Sequence, residues 1–367
     1  MNLPGRRSGG NAFDRLRGRP GRQPAFGIVG TPDPIEPPRT IDPVRYGLPP
    51  REDIRTDIDG PDPTGDAAVA AVRRGDWRSA SEILAGSGAD WERRTRLVGR
   101  LGAVAKRDDA WLTEWLASEP DDPAAHTVTA NALAAIAWAI RTSAPGQNVS
   151  DEQWRGFFRV MRQAPEHCRR AAALAPSDPT PWIELLIIAR GLQYEQDQFR
   201  TVWQEVRSRA PDHLGAHLFA RIYWQPEWFG STELHEAFIA DATHGRPMGS
   251  LFTLVRLCSV HDGEPRSEAE RPAYYREVAL NLVIDEAAAD LAAASPDHPY
   301  AATQRHMLAY LLTNAGRHTE AYAQFKAIGA YCGSSPWWSY ADPLDSFVST
   351  RSAAVMGWED AGRPTLP

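Results

Sequence analysis

The chain has 367 residues, 43% hydrophobic and 24% charged, which are the values of an ordinary globular protein of one large or two smaller domains. A formal net charge of −7 gives no reason to expect nucleic acid or an anionic membrane as partner, and no apolar run approaches the roughly 20 residues of a membrane span. Cys168, Cys258 and Cys332 lie far apart and form no Cys-x-x-Cys, so neither a disulfide framework nor a zinc knuckle is supported, and buried reduced thiols are expected. The N-terminus lacks the apolar core of a secretion signal, so a cytoplasmic location is expected.

Residues 1–63 read as an Arg/Pro/Gly-rich arm without a core of its own. Arg6, Arg7, Arg15, Arg17, Arg19 and Arg22 stand among glycines, and Pro32, Pro34, Pro37, Pro38, Pro43, Pro49, Pro50, Pro61 and Pro63 follow. Prolines at that density remove backbone donors, so disorder or polyproline II is expected, with a solvated tail as the reading of the Arg cluster. Tyr46, Ile54 and Ile58 are the residues available to pin the second part onto the domain.

Helices begin near Asp66. Gly75-Asp76 reads as the turn of a first helical hairpin, and the spacing from Gly75 to Ala80 recurs from Gly316 to Ala321 near the end. In both, Gly ends the first helix and a small residue lets the second pack closely. Trp91–Lys106 and Asp109–Ser118 form the next pair. Breaks then follow at Pro120, Pro176, Pro211 and Pro296, each stopping one helix with Pro and offering an Asp to cap the next. The interval from Pro176 to Pro211 is one clean repeat; the one before holds an insertion around Gly146–Ser150, and the one after has room for two hairpins. Helical periodicity is clear in Trp182, Leu185, Leu186 and Ala189, and again in Phe199, Val202, Trp203 and Val206. No segment alternates with period two, so strands are not expected. Pro165 either kinks the run Glu152–Leu174 or opens a new helix within it. Trp337, Trp338 and Phe347 suit an aromatic C-terminal cap over 336–357, with 358–367 a loose tail.

These residues resemble the tetratricopeptide repeat: Gly316, Ala321 and Phe325 in the last hairpin, Gly75 and Ala80 in the first, and Trp182, Leu185, Ala189 and Pro211 in the middle. The segment Gln225-Pro226-Glu227-Trp228-Phe229-Gly230-Ser231 is similar to a Pro-x-Trp-x-Gly-Ser signature of an uncharacterised group of bacterial tetratricopeptide-like proteins. The resemblance implies an all-α fold, a right-handed α-solenoid of degenerate tetratricopeptide-like hairpins over 64–335. It also implies a peptide or protein as ligand, bound in a groove lined by the first helix of each repeat.

Candidate chemistry is sparse. His213 and His217 are four apart, the spacing of a two-imidazole metal site, but no third ligand follows and His235-Glu236 stands alone, so no metal or cofactor is assigned. Phosphate loops and a Gly-x-Ser-x-Gly elbow are absent, and Ser231 is accounted for as a helix cap. Trp224, Trp228 and Phe229 read as an elbow between hairpins, with Trp228 kept as a contact for a partner. Placing repeat ends at Pro176 and Pro211 puts Asn131, Glu184 and Arg190 on first-helix positions that reach the groove, with Arg141 and Arg221 as neighbouring alternatives. The expectation is a non-catalytic scaffold for an unidentified protein or peptide. The alternative is an uncharted helical enzyme, a metal-dependent hydrolase built from His213, His217, His235 or His244, which requires at least three of them to converge with an acid.

Overall fold

The computed structural model describes residues 41–142 and 148–366. Among these residues the regular structure is helical and no strand forms; a parallel bridge pairs Arg55 with Tyr331. No described helix is long and apolar enough to cross a membrane. The Arg cluster of residues 6–22 and most of the insertion before Ser150 lie outside the described residues.

In chain order the helices are α1 (Pro63–Arg73), α2 (Trp77–Ala85), α3 (Trp91–Ala105), α4 (Ala110–Ser118), α5 (Pro123–Arg141), α6 (Asp151–Met161), α7 (Ala164–Leu174) and α8 (Thr180–Gly191). They continue with α9 (Gln196–Arg209), α10 (Leu214–Tyr223), α11 (Thr232–Thr243), α12 (Thr253–Asp262), the short α13 (Arg271–Tyr275), α14 (Val278–Ala293), α15 (Ala301–Asn314), α16 (His318–Ile328) and α17 (Pro343–Asp360). Pro165 sits in the first turn of α7, where its missing N–H costs nothing, so the run is split rather than kinked. Gly75 and Gly316 turn their hairpins with φ of 79° and 74°, the left-handed region that glycine enters without strain. Ala80 and Ala321 are fully buried, as close packing of each pair requires.

Helices α1, α3, α5, α8, α10, α12, α15 and α17 pack each on the next, giving one continuous row. The remaining helices join it mainly as hairpin partners, such as α2 on α1, α9 on α8 and α16 on α15. The core follows the row. Near the start Trp77 stacks on Trp115 with ring centroids 5.7 Å apart, and near the end Trp337 meets Phe347 edge to face at 5.2 Å. Such pairs add about 0.5–1.5 kcal/mol beyond the area they bury. Trp337 and Phe347 thus close the last hairpin, whereas Trp338 stays 53% exposed.

The breaks do more than stop helices. Asp122 caps α5 through Ala124 N at 2.7 Å, and Asp178 accepts from Thr180 N at 2.8 Å. At the third break the cap is His213, whose Nδ1 accepts from Ala216 N at 3.0 Å, because Asp212 is drawn away to Arg246. At the fourth, Tyr300 occupies the cap position of α15 and Asp297 does not cap. The expectation of a capping Asp at each break is corrected at these two, and at the second break the cap position is Pro179, with Asp178 bonding from one residue before it.

The starts of α8, α10 and α15 converge on α3. Asp178 accepts from Arg94 Nε at 2.7 Å, His213 Nε2 lies 3.1 Å from Thr95 Oγ1, and the Arg96 guanidinium rests 5.5 Å from the Tyr300 ring. Glu92 accepts from the Leu214 N–H, satisfying a free donor at the start of α10.

Residues 41–62 are packed, which corrects the expected boundary of a coreless arm at residue 63. Leu48, Ile54 and Ile58 are buried, and Tyr46 O accepts from Tyr322 Oη at 2.6 Å. The strap also holds Arg351 through Pro49 O at 2.9 Å and pairs with the loop after α16 through Cys332 N to Arg55 O at 2.8 Å. Proline denies the chain a donor but keeps its carbonyl as an acceptor, so a Pro-rich segment docks without forming helix or strand. The expected loose tail is corrected too. Helix α17 runs on to Asp360, and Trp358 packs 4.9 Å from Tyr322 while donating to Pro364 O at 2.7 Å.

Candidate ligand-binding face

The row of helices has two unlike ends. The starts of α8, α10 and α15 rest on α3, and strap residue Asp59 joins α3 to α15. The opposite end of the row carries a file of charged residues, because Arg141, Arg190 and Arg221 each fall in the last turn of α5, α8 and α10. Cations there offset the partial negative charge of helix C-termini. Arg141 and Arg190 do more than cap, however, since indoles flank them.

Arg190 lies in a notch between two tryptophans. Its Cζ is 5.2 Å from the Trp138 ring and 4.8 Å from the Trp228 ring, and the two indoles meet edge to face at 6.0 Å. The Arg141 guanidinium carbon lies 5.6 Å from the Trp138 ring centroid and 5.2 Å from that of Trp154. Phe157 backs Trp138 at 5.1 Å. Cation–π contacts of this kind are worth about 0.5–2 kcal/mol and fix the plane of the guanidinium.

Arg190 makes no hydrogen bond or ion pair among the described residues, and its buried Nε has no partner. Burial first, then the neighbouring Arg141 and Arg221, lower its pKa to about 10. Arg221 differs. Burial works against its charge, but Asp262 outweighs that by ion pairing, and Gln225 joins the same carboxylate at 2.5 Å. Burial and then Arg221 lower His235 to about 4, so its ring is neutral at pH 7. Beyond Asp262 the face turns phenolic: Tyr310 donates to Glu264 at 2.7 Å, and Arg271 reaches Glu264 at 3.2 Å.

Of the residues anticipated from sequence, Arg190 and Trp228 meet here. Asn131 and Glu184 meet each other elsewhere, with Asn131 Nδ2 donating to Glu184 Oε2 at 2.9 Å. Glu184 is 1% exposed, and burial raises its carboxyl to about 7. It lies in the interior rather than on a groove. Trp224 and Phe229 fill the elbow around Tyr223, with Phe229 stacked on it at 5.0 Å, while Trp228 leaves the elbow for Trp138. Ser231 caps α11 through Leu234 N at 3.2 Å.

The histidines of the metal-dependent reading are dispersed. His213 faces α3, His217 packs on Trp203 at 4.9 Å and Phe252 at 5.0 Å, His235 neighbours Arg221, and His244 is exposed. Among the described residues no three His, Cys, Asp or Glu side chains group as metal ligands. Sequence reasoning passed over Trp138, Asp262 and Gln225. The available signal was the recurrence of Arg in the last turn of successive row helices with a Trp nearby.

Compared with known proteins, the chain matches no family model, no curated protein and no solved structure.

Proposed function

We propose that the chain is a non-catalytic binding scaffold, a right-handed α-solenoid of degenerate tetratricopeptide-like hairpins that holds a protein or peptide. The ligand lies along the helix ends that carry Arg141, Arg190 and Arg221. One observation carries this reading: Arg190 is held rigidly between Trp138 and Trp228, with no acid of its own. Stability alone does not call for such a residue, because an uncompensated charge among like charges lowers it. Aromatic and Arg side chains held together are the usual anchors of a binding surface. Arg190, Trp138 and Trp228 each keep part of their surface exposed there.

The test is co-purification of the native full chain from its source, in parallel with Arg190→Gln and Trp228→Ala. A partner enriched with the wild type and lost with both variants supports the reading. A partner retained by both, or no enriched partner, overturns it.

A further inference from the structure

The donors around Arg190 point to the chemistry of what binds there. Arg190 Nε, Arg221 Nε, Trp138 Nε1 and His235 Nε2 are all buried and without a hydrogen-bond partner. They come from α5, α8, α10 and α11. Buried polar atoms are nearly always satisfied in folded proteins, so a neighbourhood that collects several orphans is short of a partner. Arginine and indole nitrogens only donate, and the neutral His235 ring donates from Nε2 in one of its tautomers. The missing partner is therefore an acceptor, and the charge of the neighbourhood makes it an anion. Asp262 does not fill that place, since Arg221 and Gln225 already engage its Oδ2.

We propose that the notch around Arg190 binds a phosphoryl group. The inference rests on the reading of this face as a binding surface and adds what is bound. Donors arriving from four helices match a tetrahedral anion, whose three terminal oxygens accept from several directions. A carboxylate accepts in one plane and suits a single guanidinium fork. The flanking indoles hold the Arg190 fork in place before the ligand arrives, so little rotamer entropy is lost on binding. The lowered pKa of Arg190 agrees: burial is its main cause and repulsion from Arg141 and Arg221 the next, and a bound dianion relieves that repulsion.

The test uses the full chain and two probes, inorganic phosphate and phenyl phosphate, titrated calorimetrically at ionic strength fixed with sodium chloride. Acetate is the comparison anion. The two probes separate a free phosphate from a phosphate ester as the natural source. Saturable binding of either phosphate by the wild type is expected, weakened about tenfold or more in Arg190→Gln, as loss of a charge-assisted bidentate contact implies. Arg190→Lys keeps the charge but not the fork, so an intermediate loss is expected, and this variant serves if Arg190→Gln does not fold. No saturable phosphate binding by the wild type, equal affinity in the folded variants, or acetate bound as tightly as phosphate would each overturn the proposal. A chain that ignores phosphate yet loses its co-purified partner on Arg190→Gln sinks the phosphoryl assignment and leaves the scaffold reading standing. A chain that binds phosphate but enriches no partner does the reverse.

Discussion

Asp59 of the strap places a carboxylate oxygen 2.6 Å from Arg96 Nη2 in the middle of α3. The other oxygen accepts from Thr303 Oγ1 at 2.7 Å, and His306 Nε2 lies 2.9 Å from the Asp59 carbonyl. Burial works to raise the Asp59 carboxyl, and Arg96 with these neighbours overcomes it, so the group stays ionised. Removing one member of a buried ion pair leaves the other without compensation, at a cost of about 3–5 kcal/mol. Asp59→Ala should therefore lower stability by about that amount in urea unfolding. A loss under about 1 kcal/mol would mean the strap is not held through this carboxylate.

Glu184 gives a pH test with a defined sign. Its folded pKa, raised to about 7 by burial, lies above the usual unfolded value near 4.3. The folded state thus holds the proton more tightly, so the contribution is full below about pH 4 and is lost as pH rises through about 7. Glu184→Gln removes that titration and keeps an acceptor for Asn131. The variant should gain on the wild type between pH 5 and pH 8, with a difference of about 1–3 kcal/mol at pH 8. Parallel thermal melts across that range decide it; a gap that narrows with rising pH contradicts the assignment.

Two glycines in α3 should respond oppositely to alanine. A Cβ on Gly99 meets nothing within 4 Å, whereas one on Gly102 would fall 1.9 Å from Asn131 Oδ1 and 2.8 Å from its Cγ. Gly99→Ala should stabilise by about 0.5–1 kcal/mol through helix propensity. Gly102→Ala should destabilise by about 1–3 kcal/mol, because Asn131 must leave its place between α3 and Glu184. Denaturant midpoints of the two variants measure both signs at once.

Arg190→Met should make the unliganded protein more stable. Methionine keeps an unbranched stem against Trp138 and Trp228 and removes a charge disfavoured by burial and by two like neighbours. A rise in Tm of about 2–4 °C is expected at low ionic strength, with loss of phosphate binding. A fall in Tm would show that the cation–π contacts outweigh the repulsion.

Much of the helix content was legible because its signals are local. Gly75 and Gly316 turn hairpins, Pro165 opens a helix and Ser231 caps one, and each acts within a few residues of itself. The strap was legible only in part: Tyr46, Ile54 and Ile58 stood out as residues able to pin it, but proline density, which predicts the lack of helix and strand, says nothing about where it docks. Leu48 and Ile54 are buried in one core cluster with residues more than 200 positions away, Met307, Leu308 and Phe325 among them. His213 and Asp212 illustrate the same limit at one break. The two share the local signal for a cap, and the choice between them was made by α3 and Arg246. At the candidate face, Arg190 and Trp228 were each visible, but their meeting depends on how α5, α8 and the elbow after α10 stack.

The strap also sets an order of events for a chain made from its N-terminus. Tyr46 is held by Tyr322 and Glu359, and Asp59 by Thr303 and His306, so the seat for some of the first residues is built from some of the last. Contacts across such separations form late, after the local hairpins have paid their own ordering entropy. During synthesis α3 can assemble with its near neighbours while Asp59 and Arg96 wait for α15. A ribosome-bound chain truncated before Ala301 therefore keeps residues 41–62 open to protease, and release of the complete chain closes them.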